Sequence, residues 1–148
     1  MLLRYKIPSD RVIMKGYVAT ESVLGILRQA SLLVIPSYYE GFGLPAVEAM
    51  ASGCPVVASN VASLPEICGD AALYVDPYKP HSIAEGMRRM LTDDLFREGF
   101  IRRGLRRVQK FNWERSLENH LGVIESLVAH DTVHRPSIRP VSQLQVQA

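Results

Sequence analysis

Three short apolar runs, each followed by a stretch with helical spacing, constrain the fold of this chain more than any other feature. The runs occupy residues 32–35, 55–58 and 72–75. A continuous apolar run that stops at a proline or a turn is typical of a strand buried on both faces. Strands that alternate with helices need crossover connections, so the pattern predicts an α/β fold with a parallel sheet and flanking helices.

The pattern extends towards both ends of the chain. Residues 11–18 predict a further strand that ends in a turn, and helical spacing recurs from residue 80 to residue 129. From residue 130 the periodicity stops, and prolines, serines and glutamines become frequent. We therefore predict one domain over residues 1–129 and a disordered tail over residues 130–148.

Composition excludes several classes of protein. The 148 residues are 47% apolar and 22% charged, which suits a globular domain and excludes a largely disordered chain. A net charge of +2 gives no reason to expect a nucleic-acid partner. Cys54 and Cys68 form neither a disulfide framework nor a CxxC pair, which favours a reducing compartment. Since no apolar run approaches the ~20 residues of a membrane helix, we expect a cytoplasmic protein.

The turn after the first apolar run carries the candidate ligand-binding residues. In a parallel sheet it lies at the carboxyl edge, where open α/β folds bind ligands. Gly41 and Gly43 leave backbone N–H groups at a helix start open to an anion such as phosphate. Glu40 and Glu48 flank the glycines and suit the hydroxyls of sugars, because a carboxylate accepts hydrogen bonds but repels phosphate. Either carboxylate alone has a simpler explanation, as a loop residue or a charge near a helix start. Together they predict a nucleotide-sugar as the ligand.

The same segment resembles a family signature. Residues 36–57 read Pro-Ser-x-x-Glu-Gly-Phe-Gly-Leu-Pro, then Glu-Ala-Met-Ala-x-Gly-x-Pro-Val-Val after two residues. This order resembles the retaining glycosyltransferases of family 4 (glycosyl transferases group 1), whose hallmark is two glutamates separated by seven residues. Further matches at residues 63–66, 69–72 and 76–77 extend the resemblance over about residues 8–127. It implies a Rossmann-like sheet that forms the C-terminal lobe of the two-lobed GT-B fold.

The resemblance also implies a role for each matching residue. In that family the second glutamate holds the nucleotide ribose, and the first contacts the transferred sugar. Glu48 is therefore the expected ribose ligand, and Glu40 the expected donor-sugar ligand and catalytic residue. The Gly-Phe-Gly-Leu turn is expected to present amides to sugar and phosphate, and the segment at Gly16 resembles the turn near the base. The expected donor-binding residues are Glu40, Gly41, Phe42, Gly43, Leu44, Glu48, Gly16 and Tyr17.

The implied reaction is transfer of a hexosyl group from a nucleotide-sugar to an acceptor hydroxyl, with retention. The donor would be a UDP- or GDP-sugar, the acceptor a glycan or a lipid-linked sugar, and neither metal nor cofactor is expected. This sequence has no counterpart of the family's acceptor-binding lobe, nor of its Gly-Arg strand and following lysine. We therefore expect an N-terminally truncated lobe. Its strand at residues 11–18 would need pairing with residues 32–35 or with a complementary chain.

Two alternatives to an active enzyme lobe stay open. One is a catalytically incomplete nucleotide-sugar-binding module, such as half of a split enzyme or a truncated gene product. The other alternative is a nucleotide-sugar epimerase with the same architecture, which the uninterrupted pair of Glu40 and Glu48 disfavours.

Two further features concern partners. Residues 88–110 hold eight of the 17 basic residues. We expect the basic face that these residues form either to contact anionic lipid at the inner membrane surface or, as we favour, simply to face solvent. Its members on one side of the predicted helix are Arg102, Arg103, Arg106, Arg107 and Lys110. His130 and His134 have the spacing of metal ligands but no third ligand nearby, so no metal site is expected.

Overall fold

The computed structural model describes residues 7–130. Within them, three strands form one parallel sheet in the order β1 (Leu33–Ile35), β2 (Val56–Ser59) and β3 (Ala72–Val75). The predicted parallel α/β architecture is thereby confirmed. The same residues form six α-helices: α1 (Thr20–Gln29), α2 (Leu44–Ala51), α3 (Leu64–Cys68), α4 (Pro80–Thr92), α5 (Asp94–Arg107) and α6 (Trp113–His130).

The central strand explains the continuous apolar runs. Val57 of β2 pairs with Val34 of β1 on one side and with Leu73 of β3 on the other. All four residues of β2 are buried, as expected for a strand covered on both faces. Among the described residues β1 pairs with β2 alone, and only Ile35 of its three residues is buried.

Helix α4 packs closely on one face of the sheet. Val57, Val75, Met90 and Phe100 form a buried cluster there. Gly86 of α4 makes the close approach possible, because a Cβ atom at this position would lie 2.6 Å from Val75 Cγ1. The absence of a side chain therefore sets how near α4 can come to β3.

The predicted strand over residues 11–18 is wrong. After a 3₁₀ turn at Ser9–Arg11 the described chain is irregular until Thr20. Ile13 and Met14 are 75% and 87% exposed, so this run buries no apolar face. Without a paired neighbour, its apolar sequence alone does not make a strand.

The boundary between Lys110 and Phe111 separates two compact units, and α6 belongs to the second. Asn112 caps its start, because Asn112 Oδ1 accepts from the N–H groups of Glu114 at 2.8 Å and Arg115 at 3.2 Å. The predicted tail beyond His130 lies outside the described residues, and so does His134.

Candidate functional site

Three loops leave the carboxyl edge of the sheet and build the candidate site. Residues 36–43 follow β1, residues 60–63 follow β2, and residues 76–79 follow β3. Because the strands are parallel, the three loops share one edge. All predicted site residues except Gly16 and Tyr17 lie in the first loop or in α2 directly after it.

The backbone and the side chain of Glu40 are both held by serines. The Ser37 hydroxyl donates to Glu40 Oε1 at 2.8 Å, which fixes the carboxylate from within its own loop. The Ser63 hydroxyl donates to the Glu40 carbonyl oxygen, also at 2.8 Å, from the loop that follows β2. Glu40 is only partly buried, so the rest of its carboxylate is accessible to a ligand.

Gly43 forms the turn into α2, and two observations explain why a glycine occupies this position. Its φ of 93° lies in the left-handed region, which side chains disfavour. A Cβ atom here would also lie 2.9 Å from Cδ2 of Leu64, the fully buried first residue of α3. The turn is thus packed directly against the element that follows β2.

The start of α2 offers backbone amides to a ligand. No side chain caps this helix, no acidic residue stands in its first turn, and its second residue, Pro45, has no N–H. Within residues 7–130 the N–H groups of Gly43 and Leu44 have no hydrogen-bond acceptor. Donors without acceptors at a helix N-terminus carry positive potential, which favours a bound anion.

Glu48 stands one helical turn after Leu44, on the same side of α2. Its side chain is partly buried beside the buried residues Ala49 and Met50. In the described part of the chain its carboxylate has neither a hydrogen-bond nor an ion-pair partner. It therefore contrasts with Glu40, whose carboxylate is already oriented by a hydroxyl group.

The remaining predicted residues are exposed to different degrees. Phe42 and Leu44 are about half exposed beside the turn. No atom lies within 4 Å of a Cβ built on Gly41, and its φ is not left-handed. Neither packing nor backbone conformation within the protein therefore requires a glycine there. Gly16 has a φ of 61° and Tyr17 is 97% exposed. Both lie in the irregular segment before α1, and among the described residues no hydrogen bond joins them to the first loop.

An aromatic contact that sequence reasoning missed joins the first and third loops. The rings of Tyr38 and Tyr78 lie 4.9 Å apart at an angle of 32°. Because β2 separates β1 from β3, the contact passes over the end of the central strand. The only signal in the sequence is that an exposed tyrosine follows each outer strand closely.

A cleft of about 330 Å³ opens between the second and third loops, lined in part by Asn60, Tyr78 and Ser82. Asp76 also lines it and is fixed by its neighbours: the Tyr78 N–H donates to Oδ1 at 2.9 Å, and Lys79 Nζ lies 3.1 Å from Oδ2. The Tyr78 N–H and then the lysine lower the pKa of Asp76. The carboxylate of Asp76 is thus charged at neutral pH.

The predicted basic face is partly occupied by contacts within the chain. Arg103 Nε donates to the Asp70 carbonyl oxygen at 2.7 Å, and Arg107 Nε donates to the Ile67 carbonyl oxygen at 2.8 Å. These arginines satisfy carbonyl groups at the end of α3 and in the turn after it. Two of the five cations of this face therefore have structural roles.

Residues 7–130 contain no cluster of three or more histidine, cysteine or acidic side chains arranged to hold a metal ion. Nor does any helix among them have the length and apolar character needed to cross a membrane.

Comparison with known proteins identifies the family. Residues 4–107 match the family model of the glycosyl transferases group 1. The chain belongs to this family. Of the membership inferred from the signature around Glu40 and Glu48, the assignment to the glycosyl transferases group 1 is thereby confirmed.

Sequence relatives of this group 1 chain include several mannosyltransferases. It is 48% identical over 99 residues to the O-antigen chain mannosyltransferase B of Escherichia coli, a match that covers 67% of this chain and 26% of that protein. It is 36% identical over 125 residues to the MMP alpha-(1->4)-mannosyltransferase of Mycolicibacterium hassiacum, covering 82% of this chain and 30% of that protein. The group 1 chain thus spans about a quarter to a third of these relatives.

Solved structures place the group 1 chain within the GT-B fold. It resembles the sucrose-phosphate synthase of Thermosynechococcus elongatus with a TM-score of 0.79 and 34% identity, over 88% of this chain and 33% of that one. The fold is also that of the trehalose-phosphate synthase (UDP-forming) of Burkholderia vietnamiensis, with a TM-score of 0.73 and 20% identity, over 82% of this chain and 28% of that one.

Proposed function

We propose that this chain is the donor-binding lobe of a retaining family 4 glycosyltransferase. The reaction is transfer of a hexosyl group from a UDP- or GDP-sugar to a hydroxyl of a glycan or lipid-linked acceptor. The observation that carries the proposal is the turn before α2, where a fixed Glu40 carboxylate precedes amides that have no acceptor in the described chain. The names of the mannosyltransferase relatives favour mannose as the hexosyl group.

The start of α2 suits the diphosphate of such a donor. The N–H groups of Gly43 and Leu44 bind phosphate oxygens, and the helix dipole adds to the attraction. Gly41 has no Cβ and no neighbour within 4 Å, which leaves the backbone open to the donor.

The two carboxylates take the two sugars of the donor. Glu48 has two oxygens without protein partners in the described chain and accepts hydrogen bonds from the vicinal hydroxyls of the ribose. Glu40 has one oxygen engaged by Ser37, so its other oxygen accepts from the transferred sugar in a fixed direction. Glu40 therefore positions the anomeric carbon relative to the diphosphate, which is a catalytic role through contact with the substrate.

In the transfer step the bond between the anomeric carbon and the diphosphate breaks, and the acceptor oxygen bonds to that carbon on the same face. The proton of the acceptor hydroxyl passes to an oxygen of the leaving diphosphate. Negative charge grows on the leaving diphosphate, and preorganised donors lower the barrier by stabilising that charge. The amides of Gly43 and Leu44 supply part of this stabilisation. The acceptor-binding lobe of the GT-B fold binds the acceptor and completes the site.

A second candidate function is donor binding without turnover. It is favoured by the composition of the first loop, residues 36–43, which contains no lysine or arginine to neutralise the leaving diphosphate. In that case the chain binds the nucleotide-sugar alone but neither transfers nor hydrolyses it until a second chain is added.

Calorimetric titration with UDP- and GDP-sugars tests the site. Glu48→Ala should weaken binding of the preferred donor by about 1–3 kcal/mol, the range for a hydrogen bond to a charged group. Glu118→Ala is the matched control, because this exposed carboxylate of α6 has no side-chain partner among the described residues. Equal affinity in the wild type and Glu48→Ala would refute the ribose assignment. Product analysis with and without a complementary lobe separates the two candidate functions.

A further inference from the structure

A basic cavity lies at the end of the sheet opposite the candidate donor site. It has a volume of about 180 Å³ and is lined by Asp70 together with four cations, Arg103, Arg106, Arg107 and Lys110. Asp70 belongs to the turn Gly69–Ala71 that leads into the first residue of β3. The cavity therefore stands at the amino edge of the sheet, whereas the loops around Glu40 leave its carboxyl edge.

Two of the cations are held in place by backbone groups. Arg103 Nε donates to the carbonyl oxygen of Asp70. Arg107 donates to two backbone carbonyl oxygens, that of Ile67 through Nε and that of Glu66 through a terminal nitrogen. The Arg103 guanidinium also stacks on the Phe100 ring, 4.0 Å from its centre. These contacts fix the positions of the two guanidinium groups at the wall of the cavity.

The other two cations have no such structural role. The side chains of Arg106 and Lys110 are exposed, and in the described chain neither has a hydrogen-bond or ion-pair partner. The Asp70 carboxylate is the one acidic side chain in the lining, so positive charge exceeds negative charge. A second basic groove, lined by Arg102, Arg103 and Arg106, continues along α5. Hydrogen bonds to backbone carbonyl oxygens explain the positions of Arg103 and Arg107. They do not explain why Arg106 and Lys110 also line this cavity.

We infer that this cavity binds a phosphate-bearing anion of about diphosphate size, at a site separate from the candidate donor site. Guanidinium groups with fixed geometry match the oxygens of phosphate in pairs, and additional cations favour a group with more than one negative charge. The phosphate belongs either to a small soluble molecule or to the headgroup of an anionic lipid. Both sources present the same chemistry to the cavity.

Titration of the full chain with inorganic pyrophosphate tests the first source. The double variant Arg106→Gln, Lys110→Gln should bind about tenfold more weakly, as expected from the loss of charge-assisted contacts. Its thermal melting should match that of the wild type, because both side chains are exposed and neither carries a contact of the fold. The control Arg28→Gln, Arg115→Gln removes two exposed cations from α1 and α6 and should bind as the wild type does.

Flotation with vesicles of phosphatidic acid in phosphatidylcholine, against phosphatidylcholine alone, tests the second source. Flotation that is lost in the Arg106, Lys110 variant but kept in the control, without pyrophosphate binding, would identify a lipid headgroup. Pyrophosphate binding with the same dependence would identify a soluble anion. The inference is overturned if neither probe binds, if binding persists unchanged in the Arg106, Lys110 variant, or if both double variants lose binding equally.

Discussion

A Cβ atom on Gly43 would lie 2.9 Å from Leu64 Cδ2, so the starts of α2 and α3 are packed at a distance that favours glycine. Residue 43 ends the first loop at the carboxyl edge, and residue 64 follows the second. The turn proposed to hold the diphosphate is therefore supported by the neighbouring element of the sheet. Substitutions in this turn should separate effects on folding from effects on binding.

Gly43→Ala should lower the free energy of unfolding by about 1–3 kcal/mol, because it adds left-handed strain and overpacking against Leu64. Urea unfolding followed by circular dichroism measures the change. A stability equal to that of the wild type would contradict the packing described for this turn.

Gly41→Ala should leave the stability of the fold unchanged but weaken donor binding. A Cβ atom there meets no neighbour within 4 Å and φ is not left-handed, so the free energy of unfolding should stay within about 0.5 kcal/mol of the wild type. Donor affinity should nevertheless fall, because the added methyl group enters the space proposed for the sugar and phosphate. Calorimetry with the preferred donor checks this, and unchanged affinity would argue against close approach of the donor to residue 41.

Ser37→Ala tests whether the orientation of Glu40 matters. Removing the hydroxyl that donates to Oε1 at 2.8 Å lets the carboxylate rotate, so donor affinity should fall by about 0.5–1.5 kcal/mol. Ser126→Ala is the control, since its hydroxyl bonds the Val123 carbonyl within α6. If both variants bind the donor as tightly as the wild type does, Ser37 has no positioning role.

The packing of α4 on the sheet gives a prediction about stability alone. Gly86→Ala should destabilise the fold by about 1–3 kcal/mol, because the new Cβ atom would lie 2.6 Å from Val75 Cγ1. Gly25→Ala in α1 meets no atom within 4 Å and should stabilise the fold by about 0.5–1 kcal/mol through helix propensity. Denaturant midpoints measured for both variants should shift in opposite directions.

Alkaline pH should destabilise the fold through Cys68, which is buried, and Tyr74, which is partly buried. Burial raises the pKa of Cys68 from 9.0 to about 11 and is the largest cause that raises the pKa of Tyr74 from 10.0 to about 12. Below about pH 9 both groups are protonated whether the chain is folded or unfolded, and their full contribution to stability is present. As the pH rises further, the unfolded chain loses its protons first, so the free energy of unfolding falls until the folded pKa values are passed.

Urea unfolding between about pH 8 and pH 11 measures this dependence. Tyr74→Phe should make the decline above about pH 10 shallower, although it also removes the hydroxyl that donates to the Gly69 carbonyl oxygen at 2.6 Å. A stability that does not change with pH over this range would be inconsistent with the raised pKa values of both groups.

Local patterns predicted the elements that carry the candidate site. The strand Ala72–Val75 matches its predicted bounds, and a helix follows Gly43 as the glycine-rich turn indicates. These features depend on neighbours in sequence, because apolar runs, a left-handed glycine and a helix start are local preferences. The run at residues 11–18 has the same local pattern but no partner strand, and it remains irregular.

The contacts that orient the site could not be predicted in the same way. The hydrogen bond from Ser63 to the Glu40 carbonyl joins residues 23 positions apart, and the contact between Tyr38 and Tyr78 joins two loops across a third. Such pairs depend on the order and register of the strands, which bring distant segments to one edge. Two serines and two tyrosines in loops carry no signal of their own at the level of sequence.

The length of β1 has a consequence for the behaviour of the protein at high concentration. In the described chain this strand borders the sheet, and it has only three residues, Leu33–Ile35. An open strand edge is a template for further strands, and proteins limit this hazard by keeping such edges short. About 10 Å of strand offers a foreign chain very few main-chain hydrogen bonds. The brevity of β1 therefore limits edge-to-edge aggregation at this border of the described sheet.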